Sequence, residues 1–379
     1  MRKRLLQTLL AGLFLLIGSS ASALEMIDSV YQIGTATDLV EFAQKVSAGE
    51  QTANAVLTAN IDLNGVEMPP IGTVTFPYKG IFDGQGFRVD NWNRVAAEPK
   101  DGLFGHLMDA TVMNLTVDGT FDASDLATDG SGTIGFATGT TLIRNVHSDV
   151  DVTVNNNKHV GGLVGSLQGT AWIDRSSYSG TLTVNVSFGD SNGGVCGYSN
   201  TGKISNCLFS GRIISLNTEK SFHFGGILGY VNNKKFQGLN GCLSTGSVES
   251  EVDCATFAAI LGRANTDTPS EVLYGNCWLD GKAARGMAGA KAVHTECLTE
   301  EQLANGEEVT PIQNPTSNKP EEEMLEICEL ISNSSNPEEK ISKYQTADLL
   351  GVNHKTVDYY VRKGYIPHGR QEVGFKEIF

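Results

Sequence analysis

Basic residues are scarce in this chain: 28 Lys and Arg stand against 43 Asp and Glu in 379 residues, a formal charge of −15 at neutral pH. Phosphate binding is driven by cationic side chains that release counterions, so this deficit excludes a general nucleic-acid coat. Cysteine is sparse too. The seven cysteines (196, 207, 242, 254, 277, 297 and 328) are odd in number and form no C-x-x-C pair, which argues against a disulfide framework and more strongly against structural zinc. The seven histidines show no metal-ligand spacing. There is no glycine-rich phosphate loop between a strand and a helix, and no nucleophile elbow. No cofactor is therefore expected. Residues 100–290 lack any run with a helical period. The apolar run 5–17 is shorter than the roughly 20 residues a bilayer span needs.

That run reads instead as part of an export signal. Arg2, Lys3 and Arg4 precede it, and Ala21-Ser22-Ala23 supplies a small-residue cleavage pattern, so residues 1–23 are expected to be a signal peptide cut before Leu24. Cleavage removes three positive charges and no negative ones, −15 − 3 = −18, and leaves no membrane span. A secreted or cell-surface protein is the expectation.

Glycine is abundant, 43 of 379 or about 11% against a usual value of about 7%, and it recurs at intervals. Gly102-Leu-Phe-Gly105, Gly132-Thr-Ile-Gly135, Gly162-Leu-Val-Gly165, Gly194-Val-Cys-Gly197, Gly226-Ile-Leu-Gly229 and Ala259-Ile-Leu-Gly262 share one pattern, with their last glycines 30, 30, 32, 32 and 33 residues apart. A second short unit follows each, starting at Leu115, Val146, Ser176, Cys207, Cys242 and Cys277. Four of the six follow an asparagine (Asn114, Asn145, Asn206, Asn276), while Arg175 and Gly241 break the series. Between the glycines lie strand-like runs such as 110–117, 181–186 and 212–216. A single coil of short strands cannot bury its apolar face, whereas stacked coils pair each strand with the next at about 4.8 Å and build one core. The recurring glycines suit tight corners or close backbone approach, the asparagines suit an amide ladder, and Cys207, Cys242 and Cys277 are expected to stack, reduced and buried. Residues 38–46 read as a helix with Leu39, Phe42, Ala43 and Val46 on one face and Thr37 as N-cap, placed to cover the open end of the first coil.

These segments, with Gly161-Gly162-Leu163-Val164-Gly165 and Asn206-Cys207-Leu208-Phe209-Ser210-Gly211 as the clearest, resemble the GLUG motif of bacterial surface and secreted proteins. The lead-in Ile33-Gly34-Thr35, Leu57-Thr58-Ala59-Asn60-Ile61-Asp62-Leu63, Pro70-Ile71-Gly72 and Gly80-Ile81-Phe82-Asp83-Gly84 is similar to the opening of such proteins from gut bacteria. The resemblance covers about residues 30–282. It implies a right-handed parallel β-helix displayed outside the cytoplasm, and it implies no ligand.

The composition changes after residue 297. Residues 298–339 hold eleven glutamates, no aspartate and one basic residue, Lys319, and read as an acidic linker marked by Pro311, Pro315 and Pro320, with a possible helix at 321–331. Residues 340–379 place Ala347, Gly351, Val352, Val357 and Val361 at helix-turn-helix spacing. They resemble excisionase-like and MerR-like winged helix-turn-helix modules. On that likeness His354, Lys355, Asp358 and Tyr359 face base edges, with Arg362, Lys363 and Arg370 nearer phosphates. The expected organisation is a signal peptide (1–23), cap and first coils (24–100), repeat β-helix (101–297), linker (298–338) and helix-turn-helix-like module (339–379).

Three functions follow from these features. The preferred one is an exported, non-enzymatic β-helix that presents a repeat surface to a glycan or a protein, with Trp172, Tyr178, Phe188, Tyr198 and Phe209 as candidate contacts, about half of them expected in the core. The first alternative is a DNA-binding protein acting through residues 339–379. The second is a polysaccharide-active enzyme. It would need two carboxylates facing one groove, and Asp174 and Asp190 are candidates that no spacing brings together. Asp149 and Asp151 read as a solvated strand face, and His159 and His223, at matching repeat positions, as turn residues rather than a ligand pair.

Overall fold

The computed structural model describes residues 24–304 except 98, 126–131, 156–157, 186–190, 217–222, 251–256, 266–267, 270–271, 284 and 288–295. Residues 1–23, expected to be a signal peptide, most of the expected linker and the whole segment expected to be helix-turn-helix-like lie outside the described residues, as do Cys254, Cys328, Phe188 and Asp190.

Alternation with a period of two builds the strands. In Asp151–Asn155 the exposed Asp151 and Thr153 alternate with the buried Val152 and Val154, as a strand with one solvated face must. Each such strand is too short to be stable alone and pairs in parallel with its equivalent one coil later, so the chain forms a β-solenoid of about six turns. Three inward columns fill its core. Val112, Ile143, Ile173, Ile204, Leu239 and Leu273 are in register on the first face. Phe121, Val152, Leu182 and Ile213 follow on the second. Phe104, Ile134, Val164, Cys196, Leu228 and Leu261 line the third, a six-stranded sheet. All are at most 1% exposed, and each large aliphatic in them contributes about 1.5–3 kcal/mol by leaving water.

The recurring glycines occupy one column. Register places Gly105, Gly135, Gly165, Gly197, Gly229 and Gly262 in line along the six-stranded sheet. Gly72 precedes them, because Ile71 bridges to Phe104 and His106 N donates to Gly72 O. Close approach explains the series past Gly72. A Cβ on Gly197 would lie 2.5 Å from Val160 O and one on Gly229 2.5 Å from Asn192 N, where strands of a four-stranded sheet cross over the next coil.

The asparagine corners are left-handed: Asn114, Asn145 and Asn206 have φ of 54°, 54° and 57°. Arg175 (φ 49°) and Gly241 (φ 62°) keep the same conformation, so the series is unbroken in backbone though not in residue type. The amide ladder is short. Asn145 donates to Asn114 and Asn114 to Asp83, both at 3.0 Å, whereas Asn206 donates to Asp174. Two expectations are corrected in the last coil. Cys277 pairs with Leu243, and Asn276 instead follows Cys242 in the cysteine column; Gly275 (φ 64°) takes the corner. Buried Asn276 remains because its amide accepts from Cys242 N at 3.1 Å and donates to Leu239 O at 2.9 Å.

The N-terminal helix Ala36–Ser47 buries Leu39, Phe42, Ala43 and Val46, the face expected from its pattern. Its N-cap is Thr35, not Thr37: the Thr35 hydroxyl accepts from Asp38 N at 3.2 Å and the Asp38 carboxylate accepts from Thr35 N at 2.9 Å. This reciprocal pair satisfies two exposed donors, which a cap at Thr37 would leave open.

Candidate functional site

One position after each glycine of the six-stranded sheet, the side chains His106, Phe136, Ser166, Tyr198, Tyr230 and Arg263 stand in register. Phe136, Tyr198 and Tyr230 are half-buried and Arg263 is exposed, whereas His106 and Ser166 are buried. The four-stranded sheet adds His159, whose partner is Ser191, and His223 stands two coils after His159.

The rings touch in two groups along the solenoid axis, one on either side of Ser166. His106 packs edge-on to Phe136 at 5.1 Å between centroids. His159 stacks on Tyr198 at 4.2 Å, Tyr198 meets Tyr230 at 5.9 Å and His223 meets Tyr230 at 5.2 Å. A cation sits at each end: Lys100 Nζ is 3.9 Å from the Phe136 centroid and Arg263 Cζ is 5.7 Å from that of Tyr230. Arg263 Nη1 donates to His223 Nε2 at 3.1 Å, which makes that nitrogen an acceptor. Burial, then the charge of Lys100, pushes His106 down to about 4, so its ring is neutral at pH 7. Asp101, wholly buried beside Lys100, is neutralised by a two-pronged bond from Arg94 at 2.7 and 2.8 Å. Beyond His106 the chain leaves the sheet between Gly72 and Tyr78 and carries Val74 and Phe76 out to solvent.

A second cluster lies on the first face. Trp172 is half-buried between Lys203 (4.4 Å) and Arg144 (5.4 Å), and its indole N–H donates to Ser205 Oγ at 2.8 Å. Ser205 and Asn206 both donate to Asp174 at 3.0 Å, and Arg144 and Arg175 lie 3.3 and 3.1 Å from its carboxylate. Asp174, 1% exposed, is thus engaged structurally, which also accounts for arginine at the 175 corner.

Among the candidates named from sequence, Tyr198 and Trp172 are on the surface, while Tyr178 and Phe209 are core residues at 0% exposure, their rings stacked at 6.3 Å. Asp149 is paired with Arg88 at 3.6 Å and bonded by Ser179, and Asp151 accepts from Thr181 N at 2.8 Å. His159 and His223 belong to the ring row rather than to turns. Phe136 and Tyr230 were not singled out, although the signal was present: both directly follow a repeat glycine. His354, Lys355, Asp358, Tyr359, Arg362, Lys363 and Arg370 lie outside the described residues. Among the described residues no three His, Cys, Asp or Glu side chains converge to hold a metal ion, and no helix is long and apolar enough to cross a membrane.

No protein-family model matches the chain, and a comparison with curated proteins finds no match. Among solved structures, the chain is similar to the crystal structure of a Bacteroides ovatus protein that bears the provisional name immunoglobulin A1 protease. The likeness has a TM-score of 0.55 at 19% identity and covers 74% of this chain and 87% of that one. At that identity it shows a shared β-solenoid fold.

Proposed function

We propose that this chain is an exported, non-enzymatic binding protein that presents the outer ring row of the six-stranded sheet to a glycan. The row itself carries the reading: Phe136, His159, Tyr198 and Tyr230 hold their rings half-open to water, in contrast to the buried core columns. Tyrosine joins an apolar face to a polar edge and suits a wet interface. Pyranose rings stack their C–H faces on such rings, and one coil advances about 4.8 Å, close to the advance of one sugar unit. The signal-like residues 1–23 and the GLUG-like repeats support display outside the cytoplasm.

The name of the Bacteroides ovatus neighbour raises a proteolytic reading. Asp174, the most deeply buried of the described candidate carboxylates, is already engaged by Arg144, Arg175, Ser205 and Asn206, which favours binding over catalysis. The test is affinity electrophoresis of the full chain through gels containing soluble polysaccharides, neutral and acidic. At least one should retard it, and Tyr198→Ala and Tyr230→Ala should each weaken retardation about fivefold, the worth of one ring contact. Retardation by none, or no effect of either substitution, overturns the reading.

A further inference from the structure

We infer that the glycan taken by the ring row is acidic: a chain bearing carboxylates that lies along the solenoid axis, with Lys100 and Arg263 as its anion-binding ends. This rests on the glycan reading above and narrows it. Among the described residues, the charged side chains in contact with the row's rings are Lys100 and Arg263, and the imidazoles His106, His159 and His223 add no negative charge. Asp101, the described carboxylate beside Lys100 in the chain, is buried and neutralised by Arg94. Among the described residues the row is therefore a cationic strip on a protein of charge −15, and a strip of that sign selects an anionic partner.

The geometry sets the ligand's length. Phe136, beneath Lys100, and Arg263 are four coils apart in register, about 19 Å at the spacing of parallel strands. About four sugar units span that distance, so carboxylates at the two ends of a tetrasaccharide reach both cations while the units between them lie over Tyr198 and Tyr230. Lys100 and Arg263 each rest on a ring, which holds the charge near the surface instead of letting it swing away.

The experiment titrates the full chain by calorimetry with two polymers of one backbone, polygalacturonate and its fully methyl-esterified form, in which the carboxylates are capped. Polygalacturonate should bind at least tenfold more tightly, and its affinity should fall as salt rises. The double variant Lys100→Gln with Arg263→Gln, checked for an unchanged melting temperature, should lose that preference and bind the two polymers within about twofold of each other. Equal binding of both polymers, a flat salt dependence of the unsubstituted chain, or a preference that survives the double substitution overturns the inference while leaving a neutral-glycan reading intact. Binding of neither polymer overturns the inference; if Tyr198→Ala is also silent against neutral polysaccharides, the glycan reading falls with it.

Discussion

The ring of His159 lies flat on that of Tyr198, 4.2 Å apart and 16° from parallel, although the two residues come from different sheets and successive coils. Ser166 makes this possible. It shares a coil with His159, holds the position equivalent to Tyr198 and is only 1% exposed. A small residue there leaves the space beside Tyr198 to the imidazole, in a coil that offers no aromatic of its own at that position.

Ser166→Tyr should therefore destabilise the chain despite restoring the pattern of its neighbours. Two rings would compete for one place, at a cost of about 1–3 kcal/mol. Urea denaturation measures this, and a variant as stable as the parent would show that Ser166 is small for another reason.

Gly197→Ala should cost at least as much. The new Cβ would meet Val160 O at 2.5 Å, and both partners are backbone, which cannot rotate aside. Gly86→Ala provides the contrast, since its Cβ would meet nothing within 4 Å and only its φ of 82° opposes the change. If the two variants melt together, the two layers of strands do not approach as closely as the glycine column implies.

Stability should fall as the solution is acidified from about pH 6.5 towards 4, in part through His106. Its folded value is pushed down to about 4 by burial and by Lys100, so within that window the unfolded chain takes up a proton that the folded chain refuses. The loss approaches about 2–3 kcal/mol below the folded value. His147, also lowered by burial, acts in the same direction, so the diagnostic quantity is the difference between the parent and His106→Gln. Identical pH profiles of unfolding free energy for the two would remove His106 from the account.

Cys207 and Cys242 should resist thiol reagents in the native chain, whereas Cys297 should react. Both are at most 2% exposed, and burial together with the neighbouring Cys242 thiol drives the Cys207 value well up, away from the reactive thiolate. Cys297 is exposed, and burial and Asp280 raise its value less. Peptide mapping after maleimide labelling in native buffer checks this; modified Cys207 or Cys242 without unfolding would contradict the packing.

The glycine spacing and the alternation of aliphatic with polar residues were enough to reach a coil of short strands and its axial stacking, because each repeat carries the same local requirement: a side-chain-free position under a crossing strand and an apolar face to hide. The buried face of the N-terminal helix was legible for the same reason, while its cap was displaced by two residues because the choice between Thr35 and Thr37 depends on which hydroxyl reaches Asp38 N. Tertiary register decided the rest. A one-residue offset in the last coil put Asn276, rather than Cys277, after Cys242, since the buried backbone of Leu239 and Cys242 needed an amide there. Arginine stands at the 175 corner because Asp174 is buried one residue away. The ring row is assembled from His159, Tyr198 and Tyr230, which are 39 and 32 residues apart in sequence; only the stacking of coils brings them within van der Waals reach, and no linear pattern states a contact made at right angles to the chain.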